Sequence, residues 1–422
     1  MVDSTDMRLL VLTHTFPPSH SANAKRPYHI VRRFLDVGWE VDVFTGASGM
    51  KPGAPESIHH PALRIFRTSD PVIWLLNKAD ERNGLFRTGA LAVNGLLWPD
   101  PHVLWAVRTL RACRRRTAYD RVLVFVTPAS LLLSGLGHRL IGRHCVFDYQ
   151  ESVTPYYRSH PRRSPLQRLL VPLLAKLERQ TLHKAGRVIF TADTNRRAYV
   201  QQRLVKDGAT AHVPAFFDAA VFREPRLADA VSPEFQVVYF GVFDWRGYRS
   251  PQTFLQSLAL FLRRRPEARA YTRFLFYGNW LPEHDALLED LSLRDVAQIQ
   301  PAVPYEQYLE ALKRSPILLL VASSAHNLFM PSKTADYFGA GRPIIAFVPK
   351  ESEIRQILEQ AGMADYACEE FDVTAGVVAL ERLWQRYRAG GLAPQTDKTR
   401  FWSSETQLPR YLDLVENCAP SQ

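Results

Sequence analysis

The sequence has few of the features that mark metal-bound, disulfide-linked or membrane-spanning proteins. Its 422 residues include only four cysteines, and none of them forms a CxxC pair. Neither a zinc motif nor a disulfide framework is indicated, and we expect the reduced thiols of a cytoplasmic protein. No stretch approaches the roughly 20 apolar residues that span a bilayer. Residues Met1–Phe16 lack the basic start and the apolar length of a signal peptide.

Two common nucleotide-binding motifs are also missing. A dehydrogenase of the dinucleotide-binding type needs GxGxxG after a strand, and the sequence has none. A phosphoryl-transfer enzyme of the P-loop type needs GxxxxGK[ST], which is absent as well. Hydride transfer and P-loop phosphoryl transfer are therefore not predicted.

The chain is basic, with a formal net charge of +11 at pH 7. Its arginines are spread along the chain, with short clusters at 114–116, 162–163 and 263–265. No cluster alternates with aromatic residues, as a single-stranded nucleic-acid platform would. We expect no nucleic-acid partner. Basic clusters near an anionic surface do favour a peripheral membrane contact.

Short apolar runs alternate with helical patterns, which is typical of parallel α/β sheets. Met7–Thr13 predicts a buried strand, Ala24–Gly38 a helix that ends at a glycine, and Glu40–Thr45 the next strand. Further segments of the first half are predicted as strands at Leu63–Arg67, Arg121–Val126, Cys145–Tyr149 and Arg187–Ala192, and as helices at Val103–Arg116, Ser130–Ile141 and Leu166–Ala185.

A second α/β series follows a proline-containing segment, Ala211–Pro233, which we interpret as a hinge. Its predicted strands are Phe235–Gly241, Arg273–Gly278, Ile317–Val321 and Pro343–Phe347, and its predicted helices are Pro251–Arg265, Tyr305–Arg314, Ser332–Gly341 and Ser352–Ala361. We predict two Rossmann-like domains over residues 1–222 and 223–398. A last helix in 399–422 is expected to return to the first domain. Such a pair of sheets would face each other across a ligand-binding cleft.

The segment Pro331–Ile344 carries the strongest chemical signal. Pro331 is tolerated in a first helical turn, and Ser332 is expected to cap the helix. The N-terminal N–H groups of a helix bind phosphate well. Lys333 adds a positive charge, and Asp336 lies one turn further on, where a carboxylate can accept hydrogen bonds from a ribose. An ordinary helix with a Lys–Asp pair explains the same spacing.

This segment, with its PSK, its Asp before Tyr and its GRPI, resembles the donor-site helix of GT-B glycosyltransferases, particularly the retaining family 4 group. Other segments match the family in the same order, namely Leu10–Pro18, Phe34–Val43, Pro99–Trp105, Tyr119–Asp120, Val213–Phe222, Tyr239–Gly241 and Phe276–Gly278. The resemblance implies that Asp336 holds the donor ribose and that Lys333 and Ser332 lie near the donor phosphates.

The second domain both matches and departs from that family. Gly241 takes the place of the glycine that opens the domain, but Val242 stands where many members have arginine. Arg249 takes the place of a lysine before the first helix, and Arg246 or Arg249 is suited to clamp a diphosphate. Surface arginines in a loop are the alternative. Leu328 replaces the first of the family's paired carboxylates.

The first domain offers candidate acceptor-binding residues. Asp148 and Glu151 follow a predicted strand, and Glu151 is suited to orient or deprotonate an acceptor hydroxyl. A carboxylate that caps the next segment is the alternative. Gln150 stands where the family has His or Arg, and an amide cannot do acid–base work. His14 and Arg26 flank the first loop, where they would meet an anionic acceptor. For His14, a packed or hydrogen-bonded role is the alternative.

Together these patterns predict a cytoplasmic glycosyltransferase, placed at the inner face of a membrane, that works in surface polysaccharide or glycoconjugate synthesis. The donor would be a UDP- or GDP-sugar and the acceptor a saccharide or a lipid-linked sugar. The resemblance implies retention, no cofactor and no essential metal, because positive side chains and helix N-termini stabilise the leaving diphosphate. The alternative is an inactive protein of this fold that binds a nucleotide or a glycan.

Overall fold

The computed structural model describes residues 7–19, 21–47, 58–80, 97–113, 119–136, 142, 144–159, 168–223, 233–243, 249–324, 328, 330–392 and 397–418. The chain forms two compact units. Unit 1 comprises Met1–Pro214 with Gln407–Gln422, and unit 2 comprises Ala215–Thr406. Each unit is an α/β fold around one parallel sheet, and the expected fold class is confirmed.

The described part of unit 1 contains seven parallel strands in the order β3-β2-β1-β4-β5-β6-β7. The strands are β1 (Arg8–Leu12), β2 (Glu40–Gly46), β3 (Leu63–Thr68), β4 (Arg121–Phe125), β5 (Cys145–Tyr149), β6 (Arg187–Phe190) and β7 (Thr210–His212). The α-helices are α1 (Ala22–Asp36), α2 (Pro71–Asp80), α3 (Val103–Cys113), α4 (Thr154–Ser159), α5 (Val171–Leu182) and α6 (Asp193–Gln201).

The described part of unit 2 contains six parallel strands in the order β10-β9-β8-β11-β12-β13. The strands are β8 (Phe235–Val242), β9 (Thr272–Asn279), β10 (Ala297–Gln300), β11 (Ile317–Val321), β12 (Ile344–Val348) and β13 (Ala367–Glu369). The α-helices are α7 (Ala219–Arg223), α8 (Gln252–Arg264), α9 (Pro282–Asp290), α10 (Tyr305–Arg314), α11 (Lys333–Ala340), α12 (Glu353–Gln360) and α13 (Val373–Arg388). A last helix, α14 (Ser404–Glu416), follows.

The strands that sequence missed are short ones at the sheet edges. β10 has four residues that are at most half-buried, and β13 has three. Neither carries the long apolar run that identified β11, which is buried along its whole length. β7, at an edge of the unit 1 sheet, overlaps the start of the segment that we interpreted as a hinge. The predicted helix Ser130–Ile141 was wrong: a 3₁₀ helix covers Ala129–Gly135, and residues 137–141 lie outside the described ones.

The C-terminal helix α14 is held by unit 1, as expected. The guanidinium of Arg121, the first residue of β4, donates to the backbone carbonyl oxygens of Val415 and Glu416 at the end of this helix. A cation at this position also offsets the negative end of the helix dipole. Cys418 lies against the backbone of Cys145 in β5, and both thiols are buried. Within the described residues, no helix is both long and apolar enough to cross a bilayer.

A buried ion pair joins α1 to the middle of the unit 1 sheet. The Arg26 guanidinium donates to both carboxylate oxygens of Asp148 in β5, at 2.9–3.1 Å. It also donates to the carbonyl oxygens of Val213 and Pro214, where the chain leaves unit 1. The Asp148 carboxylate is fully buried and Arg26 is 7% exposed. The pair therefore fixes a helix, a central strand and the exit of the chain together.

In unit 2, the ends of β8 and β9 approach each other so closely that only glycine fits. Gly241 and Gly278 are register partners, with φ angles of +130° and +150°. A Cβ atom built on Gly278 would lie 1.7 Å from the Gly241 carbonyl oxygen. Backbone at these angles also strains any other residue. Two glycines therefore let the two strand ends come together.

We predict that Gly278→Ala destabilises the protein by at least about 2 kcal/mol, because the new methyl group collides with backbone that has no rotamer to change. The matched control is Gly208→Ala, since nothing lies within 4 Å of a Cβ atom there; its effect should stay within about 0.5 kcal/mol. Thermal unfolding followed by circular dichroism measures both. Equal midpoints for the two variants would contradict the close approach.

The Arg26–Asp148 pair gives a second stability prediction. Asp148→Asn should cost about 3–5 kcal/mol, because it leaves a buried guanidinium without its counter-charge. The control is Asp207→Asn in the same unit: Asp207 is 73% exposed and pairs with Arg196 at 3.2 Å, so its loss should cost less than about 1 kcal/mol. Urea unfolding is the measurement, and a small effect of Asp148→Asn would show that the pair does not hold unit 1 together.

Candidate functional site

Candidate donor-site residues in unit 2 gather at the carboxyl edge of its sheet. Gly241 and Gly278 are the penultimate residues of β8 and β9, and Lys333 begins α11 after the loop that follows β11. Open α/β sheets bind their ligands at this edge, because the loops and helix starts there diverge and leave room. Lys333, Gly241 and Arg249, which were chosen from separate motifs, lie near one another here.

The Lys333 side chain folds back over the end of β8. Its ammonium donates to the carbonyl oxygen of Phe240 at 2.6 Å and lies 3.8 Å from the centroid of the Tyr239 ring. A Cβ atom on Gly241 would come within 3.0 Å of this ammonium, so the glycine leaves the space that the lysine occupies. Burial lowers the pKa of Lys333 well below that of an ordinary lysine, and the positive charge of Arg249 lowers it further.

Arg249 brings a second positive charge to the same place. It stands just before α8, at the position where sequence predicted a cation. In the described part of the chain, neither Arg249 nor Lys333 forms an ion pair with a carboxylate. Two nearby cations repel each other, and an anion between them removes that cost. The pair therefore suits a phosphate group, which guanidinium and ammonium groups both bind.

The start of α11 differs from the expected capped form. Ser332 has helical backbone angles (φ −57°, ψ −31°), and its side chain accepts no capping hydrogen bond. The prediction that Ser332 caps the helix was wrong: its backbone already turns with the helix, so the hydroxyl does not face the free N–H groups. Its side chain is instead exposed. Ser332 thus stays available at the helix start, next to Lys333.

Asp336 is hydrogen-bonded to a tyrosine of α10. Its carboxylate, on a residue that is only 6% exposed, accepts a hydrogen bond of 3.0 Å from the Tyr308 hydroxyl of α10. Burial and the negative charge of Asp336 raise the pKa of Tyr308 well above its usual range. The described residues show no Lys333–Asp336 ion pair, because the lysine bonds to Phe240 instead. Sequence did not identify Tyr308, which carries no local signal.

Of three further positions that the sequence analysis singled out in the second domain, the structure describes two. Val242, where the family has arginine, is 43% exposed at the end of β8. Arg246 lies outside the described residues. Leu328, where the family has a carboxylate, is partly buried. Of the two arginines proposed for the diphosphate, the structure therefore describes Arg249.

In unit 1, the carboxyl edge of the sheet carries a cluster of His14, Asp70 and His102. His14 follows β1 and donates from Nε2 to Asp70 Oδ2 at 3.1 Å. His102, just before α3, donates from Nδ1 to the same oxygen at 2.7 Å. Their hydrogen bonds hold the pKa of Asp70 well below its usual range, although burial alone would raise it. His14 was predicted as a site residue, whereas Asp70 and His102 were missed.

The surroundings of this cluster are apolar and acidic. The His14 ring packs edge-on against Trp105, with centroids 4.7 Å apart. Burial lowers the pKa of His14. Asp100 accepts from the backbone N–H groups of His102 and Ser130 at 2.9 and 2.8 Å, and burial raises its pKa. The three ligand-type atoms of His14, Asp70 and His102 all lie within 4.8 Å of one another.

The other acceptor candidates differ in burial and in their hydrogen bonds. Arg26 and Asp148, both predicted to meet the acceptor, are bonded to each other in the interior, so their charges are already matched. Glu151 lies two residues beyond the end of β5, with its side chain exposed. Gln150, between the strand and Glu151, is partly buried, and its backbone carbonyl oxygen accepts a hydrogen bond from the Thr191 hydroxyl. Glu151 is therefore the carboxylate of this motif that solvent reaches.

No protein-family model matches the chain, and no curated protein matches it in sequence. Solved structures do match it in fold. Sucrose-phosphate synthase from Thermosynechococcus elongatus is 14% identical with a TM-score of 0.65, over 97% of this chain and 98% of that one. An E. coli trehalose-6-phosphate protein bound with UDP-2-fluoro glucose is 13% identical with a TM-score of 0.63, over 98% and 100%.

A third match is WaaG, a glycosyltransferase involved in lipopolysaccharide biosynthesis. It is 14% identical to this chain with a TM-score of 0.60, over 97% of this chain and 100% of that one. Identities this low establish a shared fold and leave the chemistry to be argued from the site. The chain is thus similar along almost its whole length to glycosyltransferases of the GT-B fold.

Proposed function

We propose that this protein transfers a glycosyl unit from a nucleoside-diphosphate sugar to a saccharide or a lipid-linked acceptor. The observation that carries the proposal is the pair of cations at one sheet edge of unit 2, Lys333 and Arg249, neither of which is neutralised by a carboxylate among the described residues. Similarity to glycosyltransferases over 97% of the chain supports the same conclusion. We assign the chain, on its PSK segment, to the retaining family 4 type.

The diphosphate of the donor would lie between Lys333 and Arg249. Charge builds up on the leaving phosphate as the glycosidic bond breaks, and fixed positive groups stabilise that charge in the transition state. Ser332, exposed at the start of α11, would contribute its N–H group to the phosphates. Asp336 and Tyr308 would meet the ribose, since a carboxylate already held by one tyrosine hydroxyl can still accept a second hydrogen bond.

The acceptor would bind to unit 1, near Glu151 and the cluster of His14. Glu151 is exposed just beyond β5, and a carboxylate there can orient an acceptor hydroxyl. Arg26 and Asp148 would act indirectly, because their buried pair fixes the strand that carries Glu151. The net charge of +11 favours an acceptor at an anionic membrane surface, as in the synthesis of surface polysaccharides.

The first test is a thermal-shift panel of UDP, GDP, ADP, CMP and dTDP. A ligand that binds only the folded state adds about 2.7 kcal/mol of stability at a hundredfold excess over its Kd. We expect one nucleoside diphosphate, UDP or GDP, to stabilise the wild-type protein. Lys333→Met should abolish the shift, since it removes the charge that meets the diphosphate.

Lys313→Met is the matched control, because Lys313 lies at the far end of α10 and its ammonium is near Glu310. This variant should keep the full shift. If no nucleotide stabilises folded wild-type protein, the donor site is refuted. The nucleoside-diphosphate sugars of the stabilising nucleotide are then incubated with saccharide and lipid-linked acceptors. If the nucleotide binds but no glycosyl unit is transferred, the protein is an inactive binding protein of this fold.

The lowered pKa of Lys333 predicts a pH dependence of nucleotide binding. A bound diphosphate favours the ammonium form and raises this pKa, so binding takes up a proton. Affinity for the stabilising nucleotide should therefore fall as pH rises from about 7.5 to 9.5, above the phosphate ionisation near 6. Lys333→Arg keeps the charge throughout this range and should bind with little pH dependence. Equal slopes for both proteins in titration calorimetry would count against Lys333 as the phosphate ligand.

A further inference from the structure

We propose that His14, Asp70 and His102 form a binding site in unit 1 for a first-row divalent transition-metal cation, with zinc as the reference ion. The three residues come from three separate elements at the carboxyl edge of the sheet. His14 follows β1, Asp70 lies between β3 and α2, and His102 precedes α3. The site is independent of the donor site in unit 2.

The side chains already converge as metal ligands do. His14 Nε2 and His102 Nδ1 lie 3.1 and 2.7 Å from Asp70 Oδ2, and the three atoms are within 4.8 Å of one another. Zinc holds nitrogen and oxygen ligands at about 2.0–2.2 Å in a tetrahedron, which separates neighbouring ligand atoms by roughly 3.4 Å. The two nitrogen–oxygen separations would therefore widen by about 0.3 and 0.7 Å to admit the cation. In each imidazole the proton would move to the other ring nitrogen, which leaves a lone pair for the metal.

The residues around the cluster hold the ligands in position. The second oxygen of Asp70, Oδ1, accepts from the backbone N–H of Ile73 at 3.3 Å, and the backbone of His102 is fixed by Asp100. Trp105 packs edge-on against the His14 ring. A Cβ atom on Gly46 would come within 3.2 Å of His14 Nε2, so glycine keeps the coordinating atom clear. Such outer contacts orient ligands in metal sites.

The local charge also suits a dication. Asp70 is fully buried, and Asp100 is 9% exposed. Both carboxylates face the same two imidazoles, and both interact electrostatically with His14 and His102. A dication bound here would lie beside the buried Asp70 carboxylate, in an interior where a charge is costly unless it is paired.

The donor set selects the class of ion. Two imidazole nitrogens and one carboxylate oxygen match zinc and its first-row neighbours, while magnesium and calcium prefer oxygen ligands alone. Three protein ligands leave at least one coordination position for an oxygen of water or of a bound molecule. The side chain of His102 is the most exposed of the three, at 22%, so an incoming oxygen ligand approaches from its side.

The test is a titration of the full, chelator-treated chain with Zn²⁺, followed by titration calorimetry, and with Co²⁺, followed by visible absorption. We expect one equivalent of either ion per chain. The cobalt spectrum should show the d–d bands of a nitrogen–oxygen site without a thiolate charge-transfer band, since the proposed ligands include no cysteine and the four cysteines are buried. His102→Ala should weaken binding at least about 100-fold.

His212→Ala is the matched control, because His212 is a half-buried histidine of the same unit, at the end of β7, with Nε2 facing the Thr191 carbonyl. It should bind zinc as the wild type does. Asp70→Asn, which keeps the size of the side chain, is the second variant and should also weaken binding. Absence of stoichiometric binding, or equal affinity of wild type and folded His102→Ala, would overturn the proposal. Neither result bears on nucleotide binding.

Discussion

The close approach of the ends of β8 and β9 in unit 2 determines where the Lys333 side chain lies at that sheet edge. Gly278 has no space for a side chain, because the carbonyl oxygen of Gly241 lies where its Cβ atom would be. Gly241 in turn leaves the room in which the Lys333 ammonium reaches the carbonyl of Phe240. Without these glycines, the lysine would be displaced from the strand end. The steric requirement for glycine at these two positions therefore places the Lys333 ammonium at the end of β8.

The two units treat their charges differently. In unit 1, Arg26 and Asp148 neutralise each other, and five hydrogen bonds of the guanidinium tie α1, β5 and the segment after β7 together. Such a pair specifies structure, because each charge is costly to bury without the other. In unit 2, Lys333 and Arg249 have the same sign, and burial together with the charge of Arg249 lowers the pKa of Lys333. Like charges held together favour an anionic ligand, and the proposed donor site rests on that preference.

The likeness to glycosyltransferases and the local site are independent observations. Identities of 13–14% with the matched structures are too low to transfer a residue's role. The transferase proposal therefore depends on what the side chains do here, and two departures limit it: Val242 and Leu328 offer no charge where the family does. Arg249 and Lys333 supply the positive charge that remains near the end of β8. The sequence predicted His14 as a site residue. Its contacts with Asp70 and His102 were found only from the tertiary structure.

The sequence alone determined the elements whose signals are local. The apolar run of β11 and the helix α11, which ends at Gly341 with φ +60°, both lie where the pattern predicted them. The alternation of strands and helices likewise gave the fold class. Contacts between distant residues were decided by tertiary structure: Arg26 meets Asp148 across 122 positions, and Lys333 meets Phe240 across 93. Periodicity and turn chemistry act over a few residues, so they carry no information about which buried charge will find which partner once the strands are ordered in a sheet.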